Sequence, residues 1–511
     1  MRYLLAFLAG AAIAAVSTPA PAAWNVAQSK HFVIYADEKP EQLSQFASKL
    51  ERFDQAARYI YLMQDPPVGR GNRLTVFVLP SVEAIERLAG DTFVKGFYKG
   101  LASGSVAFVP RSTDSRPGGL DADTIFFHEY AHHLMFQEID RPFPQWYVEG
   151  FAEFLSTVRF EKDGSIGIGA PATHRAWTLF RGRQLPLETL LAGNYSNLSP
   201  ELRDSVYGRG WLLVHYLNFE QSRRGQLDRY VDLLGKGVPS LEAARTAFGD
   251  LKRLDRDLDE YLDRKKTSYV KLGGDRFQPG PIDVRPLSEA ASKMIMLRIE
   301  LKRGSKKGGE ALLASQIRAV ESRYPGDGLV ELTLCEAELQ DANPDSAEPA
   351  ADRALKADPQ DTKSMICKGR AVAEHSKKLA GPARHAGFEQ ARSLFVGANK
   401  IDTEDPEALW MYFRTFVMEG VRPTTNAIEA LHYASDLAPQ DAGLRMGSAV
   451  AYLNEGKLKE AKSTLTLIAY DPHGRELSQV ARTMIERIDA GDRRGALMAG
   501  VAGQRPEPTA P

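Results

Sequence analysis

The chain has 511 residues, of which 43% are hydrophobic and 26% charged, and its 65 Lys and Arg against 66 Asp and Glu leave a net charge of −1. That balance gives no basis for a nucleic acid or an anionic membrane as a general partner. The composition is that of a globular protein long enough for two or three domains, and it excludes a disordered or fibrous chain.

Residues 1–22 begin Met1-Arg2, run apolar from Leu4 to Val16 and close on Ala20-Pro21-Ala22, the pattern of a secretory signal peptide. The apolar run is too short to span a bilayer, and no cysteine follows it for a lipid anchor. The expectation is export to the periplasm or outside the cell, with no stable membrane insertion after cleavage. Residues 23–272 read as one domain, mixed α/β from Trp24 to Arg111. His31 to Tyr35 and Leu74 to Leu79 are strand-like, and the helix after Pro40 carries Leu43, Phe46, Leu50, Phe53, Ala57 and Ile60 at three- and four-residue spacing. Ser105, Val106, Ala107, Phe108 and Val109 form a short strand between Gly104 and Pro110, and the polar stretch from Arg111 to Asp123 is a surface loop.

The chemistry is concentrated between Phe126 and Leu155. In a helix over residues 124–138, His128 and His132 lie on one face about 6 Å apart along the axis, so both imidazoles reach one metal. Glu129 stands one residue round from His128, where a general base for a zinc-bound water belongs. Trp146 to Glu153 reads as a second helix with two carboxylates one turn apart. Glu149 supplies a third ligand, and Glu153 accepts the free N–H of a liganding histidine. Two imidazoles and a carboxylate are the ligand set of a zinc hydrolase, with one Zn2+ per chain. His133 points about 100° away from His132 and is read as structural or supporting.

His-Glu-Tyr-Ala-His followed by Trp-Tyr-Val-Glu-Gly-Phe-Ala-Glu-Phe resembles the gluzincins, the metallopeptidase clan of thermolysin and the zinc aminopeptidases. The resemblance implies an α+β zincin-like catalytic domain, a small mixed sheet lobe plus a helical lobe, acting on a peptide or protein substrate. It implies His128, His132 and Glu149 as ligands, Glu129 as base and Glu153 behind a ligand. In the aminopeptidase branch a tyrosine about sixty residues beyond the glutamate ligand hydrogen-bonds the tetrahedral intermediate. Tyr207, in Tyr207-Gly208-Arg209-Gly210-Trp211 and opening an apolar helix, matches it, which implies an oxyanion donor; His215 lies on roughly the same face. The strand before the zinc helix lies at the sheet edge in this clan and binds extended substrate, a role that falls on Ser105, Val106, Ala107 and Phe108. The aminopeptidase segment that anchors a substrate amino terminus has no counterpart in Gly104 to Phe108, which points to internal cleavage.

Further along, Glu161 to Ile168 reads as a hairpin or extended piece, His174 to Arg181 as a helical patch, Asn194 to Asp204 as a polar loop and residues 226–270 as two amphipathic helices. Residues 273–286, with Pro279, Pro281 and Pro286, form a linker. Residues 287–495 are helical, and Pro325, Pro359, Pro406, Pro439 and Pro472 recur at spacings near 34 residues, with an insertion around Lys377 to Phe388. This resembles tetratricopeptide repeats, whose concave surface takes protein partners. Cys335 and Cys367 fall at similar places in successive repeats and are compatible with a disulfide or with two buried thiols. Residues 496–511 read as a disordered tail. The leading reading is a zinc endopeptidase. Zinc-dependent hydrolysis of a non-peptide amide or ester, and a non-catalytic scaffold working through the repeats, are the competing ones.

Overall fold

A computed structural model describes residues 24–503 except 93, 113–120, 139–142, 194, 196–197, 265–266, 306–307 and 470–474. Residues 1–22, the expected signal peptide, and most of the expected loop from Arg111 to Asp123 lie outside the described residues. Among the described residues nine strands occur in chain order: β1 (Asn25–Gln28), β2 (Phe32–Ala36), β3 (Leu74–Leu79), β4 (Phe97–Lys99), β5 (Val106–Pro110), β6 (Arg159–Phe160), β7 (Ile166–Ile168), β8 (Val270–Leu272) and β9 (Asp283–Pro286). Six make one sheet in the order β4-β5-β3-β2-β1-β9, and β6, β7 and β8 make a second, small sheet.

The centre of the large sheet is parallel, β2 beside β3 and β3 beside β5, and its flanks are antiparallel. Side chains alternate along each strand, so β3 divides its apolar run between two cores. Leu74, Val76 and Val78 join Ala107 and Val109 beneath the helices Pro40–Tyr61 and Ala122–Glu138. Phe77, Leu79, Val106 and Phe108 face the other way, onto Ile85 and Leu88 of Val82–Ala89 and onto Ile295 and Ile299 of Glu289–Arg303. A helix from the repeat half thus covers one face of the sheet.

From residue 289 onward the described chain is helical, twelve helices from Glu289–Arg303 to Arg493–Gly503, each packed against the next, an arrangement compatible with the expected repeats. Among the described residues no helix is long and apolar enough to cross a membrane. The expected insertion around Lys377 to Phe388 falls largely within a long helix, Gly381–Ile401. Cys335 and Cys367 are joined in a disulfide tying Gly328–Gln340 to Thr362–Ser376.

Aspartates at the repeat turns seat the α/β half. Asp441 accepts from Leu444 N of its own helix (2.9 Å) and, through its other oxygen, from Ala102 N (2.8 Å). Asp402 accepts from Gly71 N (2.9 Å), and Asn72 Nδ2 donates to Leu437 O (2.7 Å). Ala102 is buried with Leu431, Ala434, Ala438 and Leu444.

Four expectations need correction. Ser105, Val106, Ala107 and Phe108 are not at the edge of the sheet, because β4 turns back beside β5, pairing Phe97 with Phe108 and stacking their rings at 4.6 Å. The stretch 273–286 is not an open linker: a one-turn helix, Gly274–Arg276, is followed by β9, which completes the sheet against β1. Residues 200–204 are not loop. Ser199 caps Leu202 N and Pro200 begins Pro200–Phe219, so Tyr207 lies within that helix, two turns in, rather than at its start. The helix Arg493–Gly503 takes in the first half of the expected tail, and residues 504–511 lie outside the described residues.

Beneath the sheet His31 is clamped between carboxylates. Its Nδ1 faces Glu51 at 2.7 Å and Asp54 at 3.6 Å, its Nε2 faces Asp65 at 3.0 Å, and Arg58, Lys30 and Tyr130 pair with the same acids. Burial disfavours the His31 charge, but Glu51, Asp54 and Asp65 outweigh it and raise the pKa. A raised folded-state pKa contributes stability that is full below the unfolded value of about 6.5 and is lost as pH rises through the folded value. Denaturant titrations of the native chain and of His31→Gln are therefore expected to differ most near pH 6 and to converge toward pH 9; a difference that grows with pH would refute the imidazolium clamp.

Candidate active site

Two helices and a turn carry the site. Asp121 accepts from Thr124 N at 2.6 Å and starts Ala122–Glu138, which is apolar nearly all round because it lies between the sheet and the helical lobe. Gln145–Ser156, started after Pro144, packs across it and is buried along its whole length. His128 Nε2 and His132 Nε2 approach to 3.1 Å, and Glu149 Oε2 lies 3.5 Å from the first and 3.6 Å from the second. A triangle with those edges has its equidistant point about 2.0 Å from each corner, the length of a zinc bond to imidazole nitrogen or carboxylate oxygen.

The chemistry of the donors agrees with that distance. Glu153 Oε1 lies 3.3 Å from His128 Nδ1, which places a ring N–H on the side of Glu153 and directs Nε2 toward Glu149 and His132. Burial would lower the His128 pKa, but hydrogen bonds to Glu149 and Glu153 and the charge of Glu129 lift it to about 10. The basin is rich in negative charge, and a divalent cation fits it. Glu129 is half-buried beside the two histidines, where Gly96 gives it room: a Cβ built on Gly96 would stand 2.5 Å from Ile125 Cγ2 and 3.5 Å from Glu129 Cγ.

Tyr207 reaches this group because two helices touch at glycine. A Cβ on Gly150 would lie 2.6 Å from Gly210 O, and one on Gly210 would lie 2.9 Å from Trp146 O, so Gln145–Ser156 and Pro200–Phe219 cross backbone to backbone. One turn before Gly210, the Tyr207 ring stands 6.1 Å from the His128 ring. The negative charge of Glu149, and then burial, raise the phenol pKa, so its proton is retained through neutral pH.

Sequence reasoning passed over His174 and Arg175. His174 Nε2 lies 2.8 Å from Glu153 Oε2, and Arg175 Nη2 donates to Glu153 Oε1 at 2.6 Å. Arg175 also donates to Asp204 at 2.7 Å and lies over the Tyr207 ring at 4.8 Å. Burial penalises the Glu153 charge, yet Arg175, His128 and His174 hold its pKa well below the usual carboxylate range. The available signal was a basic pair within a stretch, Gly164 to Leu187, that contains no Asp or Glu.

His133 and His215 are structural. His133 Nδ1 accepts from Tyr98 OH at 2.9 Å, and burial lowers its pKa to about 3. His215 does not approach the site. Its Nε2 donates to Gly169 O and Ser268 O, its Nδ1 accepts from Tyr261 OH, and burial lowers its pKa to about 4.

No known family model matches the chain, and no curated protein does. Among solved structures, a thermophilic TPR protein of Thermus thermophilus is similar at 17% identity and a TM-score of 0.33, over 37% of this chain and 96% of that one.

The glycine crossing is directly testable. Gly210→Ala forces a methyl group against backbone and is expected to cost about 1–3 kcal/mol of stability, typical of overpacking. Measured by thermal unfolding, a midpoint equal to that of the native chain would show that the helices do not meet there as described.

Proposed function

We propose that this chain is an exported zinc-dependent peptidase of the gluzincin type that cleaves internal peptide bonds. The observation that supports this reading best is the triangle of His128 Nε2, His132 Nε2 and Glu149 Oε2, with Glu153 behind His128. A zinc ion bound by those three residues would supply Lewis acidity and lower the pKa of a water molecule to about 7.

The chain's own residues do the rest. Glu129 takes the proton of the water as its oxygen adds to the scissile carbonyl carbon, and delivers a proton to the amine nitrogen as the C–N bond breaks. Tyr207 donates its hydroxyl proton in a hydrogen bond to the oxygen that becomes negative, a contribution of about 3 kcal/mol for donors of this kind. Glu153 keeps His128 in the tautomer with its Nε2 lone pair free. In the extended-substrate role expected of Ser105 to Phe108, β4 replaces them: it is the edge strand of the sheet, and Gly96 brings it close to Glu129.

A second reading rests on the repeats. A groove of about 1030 Å³ lies between Pro406–Glu419, Thr425–Leu437 and Ala442–Glu455, floored by Trp410, Phe413, Leu431 and Met446. It favours protein binding by the repeat half, as a scaffold or as a way of delivering substrate to the same chain.

Glu129→Gln is expected to keep one zinc per chain by elemental analysis and to lose turnover on a peptide mixture, whereas Glu149→Ala loses the zinc. Full activity in the first, or full zinc in the second, overturns the assignment. Tyr207→Phe is expected to retain zinc and lose about 10²- to 10³-fold in kcat; an unchanged kcat removes Tyr207 from the mechanism.

A further inference from the structure

Beside the catalytic residues the chain exposes two large aromatic side chains on a rigid turn. Trp177 is 63% and Phe180 56% exposed, although they belong to the same short segment as Arg175. The segment is fixed by hydrogen bonds to the helix Pro200–Phe219 and within its own turn. Arg175 and Thr178 bind Asp204, Arg183 N donates to Glu201 at 3.0 Å, and Leu185 N donates to Ser205 Oγ at 3.0 Å. Gln184 Nε2 closes the turn onto the carbonyls of Thr178, Leu179 and Gly182. The indole lies over Gly182, whose added Cβ would stand 3.2 Å from Trp177 Cζ3. Holding two aromatics in water on a pre-ordered support is unfavourable for the free chain, and it is the arrangement found where a partner docks.

Charge indicates the partner. Arg181 and Arg183 flank Gly182 and are exposed, and among the described residues their guanidinium groups make no ion pair. No Asp or Glu occurs from Gly164 to Leu187. The patch is also continuous with the metal-binding residues, since Arg175 two residues earlier touches both Glu153 and the Tyr207 ring.

We propose that Trp177, Phe180, Arg181 and Arg183 form a substrate-docking surface that selects polypeptides carrying acidic residues beside an aromatic or large apolar one, and leads them into the metal site. The aromatic pair supplies stacking and apolar area, and the two arginines pair with carboxylates. The proposal rests on the peptidase reading, but its test does not require turnover.

The full chain carrying Glu129→Gln is titrated with a short fluorescein-labelled peptide alternating acidic and aromatic residues, and with its counterpart bearing lysine at the acidic positions, while anisotropy is read. The acidic peptide is expected to bind at least about tenfold tighter, with affinity falling as salt rises. Trp177→Ala is expected to weaken it about tenfold, and the double change Arg181→Glu with Arg183→Glu to reverse the preference toward the lysine peptide. Equal binding of the two peptides, or insensitivity to all three substitutions, overturns the proposal. Co-sedimentation with phosphatidylglycerol vesicles that depends on Trp177, without binding of the acidic peptide, overturns it in favour of a lipid surface. Tight, substitution-sensitive peptide binding together with no cleavage by the unsubstituted zinc-loaded chain counts against the peptidase reading alone.

Discussion

A buried carboxylate must be satisfied on every side, and the site depends on that requirement at Glu153. Its side chain is almost wholly out of water, within an apolar helix, so it draws three donors from two other places in the chain: His128 from the preceding helix, and His174 and Arg175 from a later turn. Arg175 in turn binds Asp204 and lies over Tyr207, and so ties the helix after it into the same network. Leaving such a charge without one of its partners costs about 3–5 kcal/mol. The need to pair one anion therefore brings together residues spread over some eighty positions of sequence, and sets the ring orientation of His128 as it does so.

The two halves of the chain are joined by the same economy of polar groups. Asp441 uses one oxygen to cap its own helix and the other to hold the backbone at Ala102; Asp405 caps at Glu407 N while pairing with Lys363, which reaches Ser103 O. Gln440 donates to Ser105 Oγ, which lies 3.3 Å from the Tyr98 hydroxyl, and that hydroxyl meets His133 beside His132. The repeat array is therefore in hydrogen-bonded contact with the support of the helix Ala122–Glu138.

What was legible in the sequence follows from the range of the forces involved. The period of four between His128 and His132, the one-turn spacing of Glu149 and Glu153, and the continuous apolar run of β3 are local patterns, and the geometry found for them follows from helix and strand repeats. Tyr207 was legible only through resemblance, because its position depends on the contact of Gly150 with Gly210, sixty residues apart, and its helix starts earlier than expected because Ser199-Pro200 outweighed the polar composition around it. The edge position was misread because β4 is only three residues long and carries no alternation to mark it. His174 and Arg175 were invisible as site residues because they reach it only by tertiary pairing with Glu153. The disulfide was compatible with the repeat spacing, and the meeting of two neighbouring helices selects it over free thiols.

The pairing of β1 with β9 has a bearing on how the molecule is made. The first described strand finds its outer neighbour only after more than two hundred and fifty further residues have been added. Until then the outer rim of β1 presents unpaired backbone amides and carbonyls, and the hydrophobic face of β3 and β5 waits for Ile295 and Ile299. A nascent chain halted before residue 283 would thus carry both an open strand and an uncovered apolar surface. Completion of the sheet by β9 makes the closing step of α/β folding a long-range one, and makes the beginning of the repeat array the natural lid on an otherwise adhesive intermediate.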